Sequence, residues 1–189
     1  MLDYFVKEKS DFLRKKDKSR KGHIDKDAVK IVNEINSRND YYTTSSCSGR
    51  IVLLEKLSRK KNESRWIFIK HDKLNFNEIV EVLDSKLRNE VWFKQEPLIL
   101  HVRCKSLDAA RRLLDISRKI FKRAGIISLS DKKIIVEIIG SERIDTIIAN
   151  KNFVADEDNI KNLVKYSNEN FEENRKKSER FLKIVRSSL

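Results

Sequence analysis

The sequence predicts an α+β fold: a mostly antiparallel or mixed sheet, flanking helices and a long C-terminal helix. Three observations carry that expectation. Segments with period-two alternation pair off around short polar turns, at 41–46 with 50–57 and at 126–130 with 133–139. Stretches with a helical stripe separate them, and the last runs from Asp156 to the end. Neither a P-loop nor a glycine-rich dinucleotide turn occurs in a chain with only four glycines, which argues against the doubly wound cofactor-binding architecture. The expected organisation is one α+β domain over residues 1–150 with a helical extension over 151–189.

The chain has 189 residues, of which 39% are hydrophobic, enough for a real core despite 38% charged residues. Its net charge of +13 points to a polyanionic partner, nucleic acid before membrane. A generally lysine-rich surface is the blander explanation. No apolar run approaches the roughly 20 residues that span a bilayer. The charged N-terminus does not resemble a signal peptide. Two cysteines, Cys47 and Cys104, are too few for a disulfide framework, so the expected location is cytoplasmic.

Tyr4-Phe5 and Phe12-Leu13 mark an amphipathic helix over 3–18, followed by Arg14–Lys21 with six basic residues and one acid. Asp25 is placed to cap a second helix over 26–37, with Ala28, Ile31, Val32 and Ile35 on one stripe. The strands at 41–46 and 50–57 then flank a loop of small hydroxyl residues, which ends in Gly49-Arg50 and reads as a ligand site on a two-stranded base. A strand over 65–70 puts Ile67 and Ile69 on one parity and Trp66 and Phe68 on the other. Asn75 or Asn77 caps a helix running to about Asn89. In 98–104, Leu98, Leu100, Val102 and Cys104 form the core face, and Ile99, His101 and Arg103 the polar one. A helix over 107–124 exposes Arg111, Arg112 and Arg118, with Gly125 as its C-cap. The apolar segment 143–149 fits either strand or helix. The terminal helix carries Ile160, Leu163-Val164, Ser167, Phe171, Asn174, Ser178, Phe181-Leu182 and Val185 on one stripe.

Spacing tests the enzymatic readings. Cys47 and Arg50 stand too close for a phosphatase loop, and no base is fixed beside Cys47, so a cysteine-dependent hydrolase is a weaker reading than a packing thiol. His101 and Cys104 project from opposite strand faces and have no second ligand pair, so no metal is expected. Trp66 and Trp92 suit stacking on a base or cofactor ring as well as core packing. His71 and His101 each come near a strand end in polar surroundings. A non-catalytic basic RNA-binding module accounts for the charge and the aromatics, but not for the neutral serine stretch.

The string YYTTSSCSGRI over 41–51, Trp66-x4-His71, the Glu96–Val102 strand, Ala124-Gly125 and the earlier Asp17-x-Ser19-x-Lys21-Gly22-x-x-Asp25 occur in the order in which they stand in a known family. Over about residues 10–145 the chain resembles the tRNA wybutosine-synthesising protein 3 family. One departure is Leu129, where the family pattern has a glycine. The resemblance implies an S-adenosylmethionine-dependent methyltransferase with a non-Rossmann α+β fold of its own. The implied reaction is methylation of N4 of the tricyclic wyosine-type guanosine at position 37 of tRNA-Phe, with the anticodon arm as partner. On that reading Ser45, Ser46, Ser48, Gly49 and Arg50 bind the polar ends of the cofactor or the base. Asp25, His71 and His101 are the candidates for taking the proton. Ser19, Lys21, Arg103 and Arg111 hold the tRNA.

Overall fold

The computed structural model describes residues 4–15, 24–58, 63–84, 89–131 and 133–189. Among the described residues the elements follow one another as α1 (Tyr4–Leu13), α2 (Lys26–Ser37), β1 (Tyr41–Cys47), β2 (Arg50–Lys56), β3 (Ser64–Lys70), α3 (Phe76–Leu83), β4 (Glu90–Glu96), β5 (Ile99–Cys104), α4 (Leu107–Arg118), β6 (Arg123–Ser130), β7 (Lys133–Ile139), β8 (Ile144–Asn150), β9 (Phe153–Val154) and α5 (Glu157–Ser188). The fold is α+β with two antiparallel sheets. It divides into two compact units.

The first unit holds residues 1–48, 98–141 and 175–189 around a sheet of order β1-β5-β7-β6. The alternation in β5 works as its sequence requires. Leu100, Val102 and Cys104 are fully buried and meet Ala28, Ile31, Ile35, Leu113 and Phe181 in one core. Burial pushes the Cys104 thiol up to about 12, so it behaves as a small core residue rather than a reactive thiolate. On the other sheet face Tyr42 packs against Phe5 and Phe12 of α1, with ring centroids 5.7 and 5.1 Å away.

The second unit holds residues 49–97 and 142–174 around a sheet of order β3-β2-β4-β8-β9. Its core joins Ile51, Leu53, Val91, Phe93 and Ile148 to Ile79 of α3 and to Ile160, Val164 and Phe171 of α5. α3 starts at a full capping box: the Asn75 side chain accepts from the helix, and the Glu78 side chain accepts from Asn75 N at 2.7 Å.

Several expectations are corrected. β1 and β2 do not pair as a hairpin: β1 runs against β5, and β2 against β3 and β4. α1 ends at Leu13, and the rest of the basic run lies largely outside the described residues. α3 stops at Leu83, short of Asn89, and 85–88 lie outside the described residues. α4 closes at Arg118 with Lys119 as its C-cap, because Arg123 already belongs to β6. Gly125 therefore sits within a strand opposite Glu137, not at a helix end. In β3 a register shift pairs Leu53 with Phe68 and Leu54 with Trp66. Ile67 becomes the extra residue of a bulge, and Ile67 and Phe68 both pack on the core. The open segment 143–149 is a strand, β8. Sequence reasoning overlooked β4, the central strand of the second sheet, although its Val91, Phe93 and Gln95 alternate with polar or amphipathic neighbours.

Candidate functional site

In the first unit the site grows from the end of β1. The strand expected over 41–46 runs on through Cys47 and pairs with β5: Ser45 lies opposite His101, Ser46 opposite Leu100 and Cys47 opposite Ile99. A bulge at Thr44 makes this possible. Thr43 N donates to Asn36 Oδ1 at 2.7 Å, and Thr44 Oγ1 donates to the His101 carbonyl at 3.2 Å. The inserted residue reverses the parity of the rest of the strand, so Ser45 and Cys47 share the sheet face of His101 instead of entering the core.

Asp25 closes this part of the site. It precedes α2, yet its side chain makes no capping bond to that helix. Its Oδ2 instead accepts the backbone N–H of Ser48 at 3.1 Å, and both residues are buried. Asp25 holds the N-cap position expected of it, with its carbonyl accepting from Ala28 N and Val29 N, but its carboxylate serves the segment after β1. His101 Nε2 lies 2.8 Å from Glu137 Oε2 on β7, which fixes the ring. Ser45, His101 and Glu137 form one cross-strand row.

In the second unit Gly49 has φ +107°, the only positive φ among the described residues. An added Cβ would lie 3.0 Å from the Glu96 carbonyl and 3.2 Å from Asn174 Nδ2. Glycine is required here on both counts. Arg50 donates from Nε to Glu96 Oε2 at 2.6 Å, and its guanidinium lies 4.7 Å from the centroid of the Trp66 ring. His71 follows the end of β3 and is half-buried.

The remaining expected residues separate. Arg111 is exposed on α4, as a phosphate contact requires. Arg103 is only 4% exposed, paired with Glu8 at 3.1 Å and set 5.3 Å from the Phe5 ring. It joins α1 to the sheet, and the polar strand face that suggested a tRNA contact is covered at that position. Ser19 and Lys21 lie outside the described residues. Glu137 and Glu96 were missed; the alternation of β7 and the register of Arg50 with Glu96 were the signals that carried them.

The family described as Methyltransferase TYW3 matches residues 7–187. The chain belongs to that family. A zebrafish (Danio rerio) relative, "tRNA wybutosine-synthesizing protein 3 homolog", is 33% identical over 99% of this chain and 76% of its own. A Methanocaldococcus jannaschii relative is 34% identical over 79% of each chain, and is named tRNA(Phe) 7-((3-amino-3-carboxypropyl)-4-demethylwyosine(37)-N(4))-methyltransferase. Among solved structures, the PH1069 protein of Pyrococcus horikoshii superposes with a TM-score of 0.86 at 30% identity, covering 96% of this chain and 95% of that one. A protein from Aeropyrum pernix superposes with a TM-score of 0.77 at 26% identity, covering 87% of this chain and 99% of that one. A methyltransferase family implies a methyl donor. Among the described residues, no helix is long and apolar enough to cross a membrane.

Proposed function

We infer that this TYW3-family chain is a tRNA methyltransferase of wyosine biosynthesis, methylating N4 of the tricyclic guanosine at position 37 of tRNA-Phe, with S-adenosylmethionine as donor. The observation that carries the residue assignment is the bond from the Ser48 amide to the Asp25 carboxylate. It joins the N-terminal signature to the serine segment inside one unit, across 23 residues of chain.

The donor set fits the cofactor. In the first unit Ser45 is exposed on the His101 face of its strand and Ser46 is half-exposed, and in the second unit the Arg50 guanidinium is half-exposed. Ser45, Ser46, Ser48 and Gly49 bind its polar ends, and Arg50 takes a carboxylate, either of its methionine part or of the modified base. S-adenosylmethionine supplies a methyl group activated by a positive sulfur. The protein's own work is positioning: it holds the ring nitrogen in line, excludes water and receives the proton.

Asp25 is assigned that proton. It is the buried carboxylate at the serine segment, whereas His101 is oriented by Glu137 and supports Ser45 across the strands. His71 is the second candidate acceptor. Arg111, with Ser19 and Lys21, holds the anticodon arm through phosphates. No metal takes part, and the working location is cytoplasmic.

The test is methyl transfer from labelled S-adenosylmethionine to tRNA-Phe carrying the demethyl tricyclic base, with unmodified tRNA-Phe as control. Label is expected on the modified RNA alone. No transfer, together with no cofactor binding by calorimetry, leaves a non-catalytic RNA-binding module and overturns the enzyme reading. Ser46→Ala, Arg50→Ala and His101→Ala variants that all methylate normally overturn the site assignment.

A further inference from the structure

Charge is not spread evenly along α5. Residues 157–174, in the second unit, carry five acids and two lysines. Residues 175–188, in the first unit, carry Arg175, Lys176, Lys177, Arg180, Lys183 and Arg186 against one acid, Glu179. The helix dipole accounts for little of this, because it favours cations only within the last turn, which holds Arg186 alone. A surface charged for solubility mixes the two signs, and this one separates them.

Packing explains part of the basic half. Within the first unit α2 and the end of α5 meet in one core through Ile31, Ile35, Leu182 and Val185. Arginines hold the seam between them. Arg175 Nε donates to Asp27 Oδ2 at 2.9 Å, and Arg186 Nε donates to Glu34 Oε2 at 3.0 Å. Arg38 Nη2 donates to the other oxygen of Glu34 at 2.6 Å. Both acids of α2 are thus taken by guanidinium groups. Lys26 and Lys30 of α2, and Lys176, Arg180 and Lys183 of α5, are exposed and take no part in these pairs. The α2 lysines stand at i and i+4. The three α5 cations stand at i, i+4 and i+7, a row about 10 Å long at 1.5 Å of rise per residue. A cavity of about 120 Å³ lies at the seam, lined by Lys26, Lys30 and Arg175 together with Asp27 and Glu179. Asp27 is already neutralised by Arg175, so the cavity is left positive.

Two rows of cations beside a positive cavity match a chain of phosphates, each with one negative charge. Ammonium and guanidinium groups grip phosphate oxygens and position a nucleic acid without reading its sequence. We propose that the α2–α5 face of the first unit is a phosphodiester-binding surface, on which the RNA backbone lies with one phosphate at the cavity beside Lys26, Lys30 and Arg175. The inference rests on the tRNA reading above and adds to it a site that holds the RNA whatever its bases. Modified and unmodified tRNA-Phe bind this face alike. It acts on KM for the RNA and leaves the chemical step untouched. The last turns of α5 therefore pack the first core on one side and hold RNA on the other.

The experiment is filter binding of tRNA-Phe, with and without the tricyclic base, across a potassium chloride series. Binding to phosphatidylserine vesicles is measured alongside. Three double variants are compared with wild type, each lacking two positive charges: Lys26→Gln/Lys30→Gln, Arg180→Gln/Lys183→Gln and, in the acidic part of α5, Lys161→Gln/Lys165→Gln. Each of the first two is expected to lower the slope of log K against log salt by about one to two, since each lost phosphate contact removes about 0.7–0.9. The fall is the same on both RNAs. Lys161→Gln/Lys165→Gln leaves the slope unchanged, and Lys26→Arg/Lys30→Arg keeps the wild-type slope. In the methyl-transfer assay the first two variants raise KM for tRNA with kcat unchanged.

A slope unchanged in either of the first two variants overturns the proposal. So does an equal fall in all three, which makes the effect one of net charge. Vesicle binding lost with RNA binding intact assigns the face to an anionic membrane surface and overturns it as well. Wild-type protein that shows the expected slopes but methylates neither RNA leaves the face standing and defeats the methyltransferase reading. Wild-type protein that binds no RNA defeats both.

Discussion

Asp25 carries the sharpest prediction at the scale of one residue. Its carboxylate is 6% exposed and accepts a backbone N–H, so removing its charge leaves that donor poorly satisfied. Asp25→Asn is expected to lower the methyl-transfer rate by at least about 100-fold, the contribution of a positioned acid–base group. Asp25→Ala should in addition cost about 1–3 kcal/mol of stability, read from denaturant unfolding. Gly49→Ala meets two obstacles, a φ of +107° and a backbone oxygen 3.0 Å from the new Cβ. A loss of about 1–3 kcal/mol is expected from the backbone conformation alone, before the close contact is counted. Three buried acids, Tyr41, Tyr42 and Cys104, act at the alkaline limit, and burial raises Tyr41 as it does the other two. Burial pushes Tyr42 up to about 12, helped by Glu8, and burial does the same for Cys104. Both are neutral when protonated and both have folded values above their unfolded ones. Their stabilisation is complete below about pH 9 and is lost as pH rises towards 12. Thermal midpoints should fall across that window, and Cys104→Ala should flatten the fall.

α5 is the element on which both cores depend. Asp156 Oδ1 accepts from Asn159 N at its start, and the helix then places Ile160, Val164 and Phe171 in the core of the second unit. Asn168 fastens it by exchanging bonds with Leu74 N and O, at 2.7 and 2.9 Å. Beyond Arg175 the same stripe delivers Phe181, Leu182 and Val185 to the core of the first unit, where Phe181 meets Phe121 edge-on at 5.5 Å. Phe171→Ala and Phe181→Ala are each expected to cost about 3–5 kcal/mol, measured by denaturant unfolding. The stripe also contains buried Ser167, Asn174 and Ser178, small or polar residues that no hydropathy count marks as core. Helical spacing alone revealed them, because a residue at the right angle on a docked helix is buried whatever its polarity.

For the whole molecule, +13 net charge and a tRNA partner imply binding governed by counterion release. The logarithm of the association constant should fall linearly with that of salt concentration. Arg111→Ala should reduce the slope by about one if Arg111 holds a phosphate, and leave it unchanged if it does not. Filter binding across a salt series measures this. A chain ending at 174 would strip Phe181, Leu182 and Val185 from the first core. It is expected to lose the cooperative unfolding transition of that unit, visible by calorimetry.

Much of this was legible in the chain itself. The alternation of 98–104 fixed which face of β5 is core, because strand side chains alternate and only one face tolerates Leu, Val and Cys together. The periodicity of 156–188 determined α5, and the motif order determined the family. The sequence could not show that Ser45 turns outward, since the Thr44 bulge depends on the bonds that Thr43 N donates to Asn36 and Thr44 Oγ1 donates to His101. Nor could it show that the Asp25 carboxylate serves Ser48 rather than its own helix. A carboxylate before a helix has two uses, and only the packing of α2 beside the end of β1 selects one. Arg103 and Arg111 look alike as basic residues, yet Glu8 and α1 enclose the first and leave the second in water. Local pattern determines which elements form and which faces they bury. Partners distant in sequence determine what each charged side chain is for, because its role depends on which neutralising groups reach it.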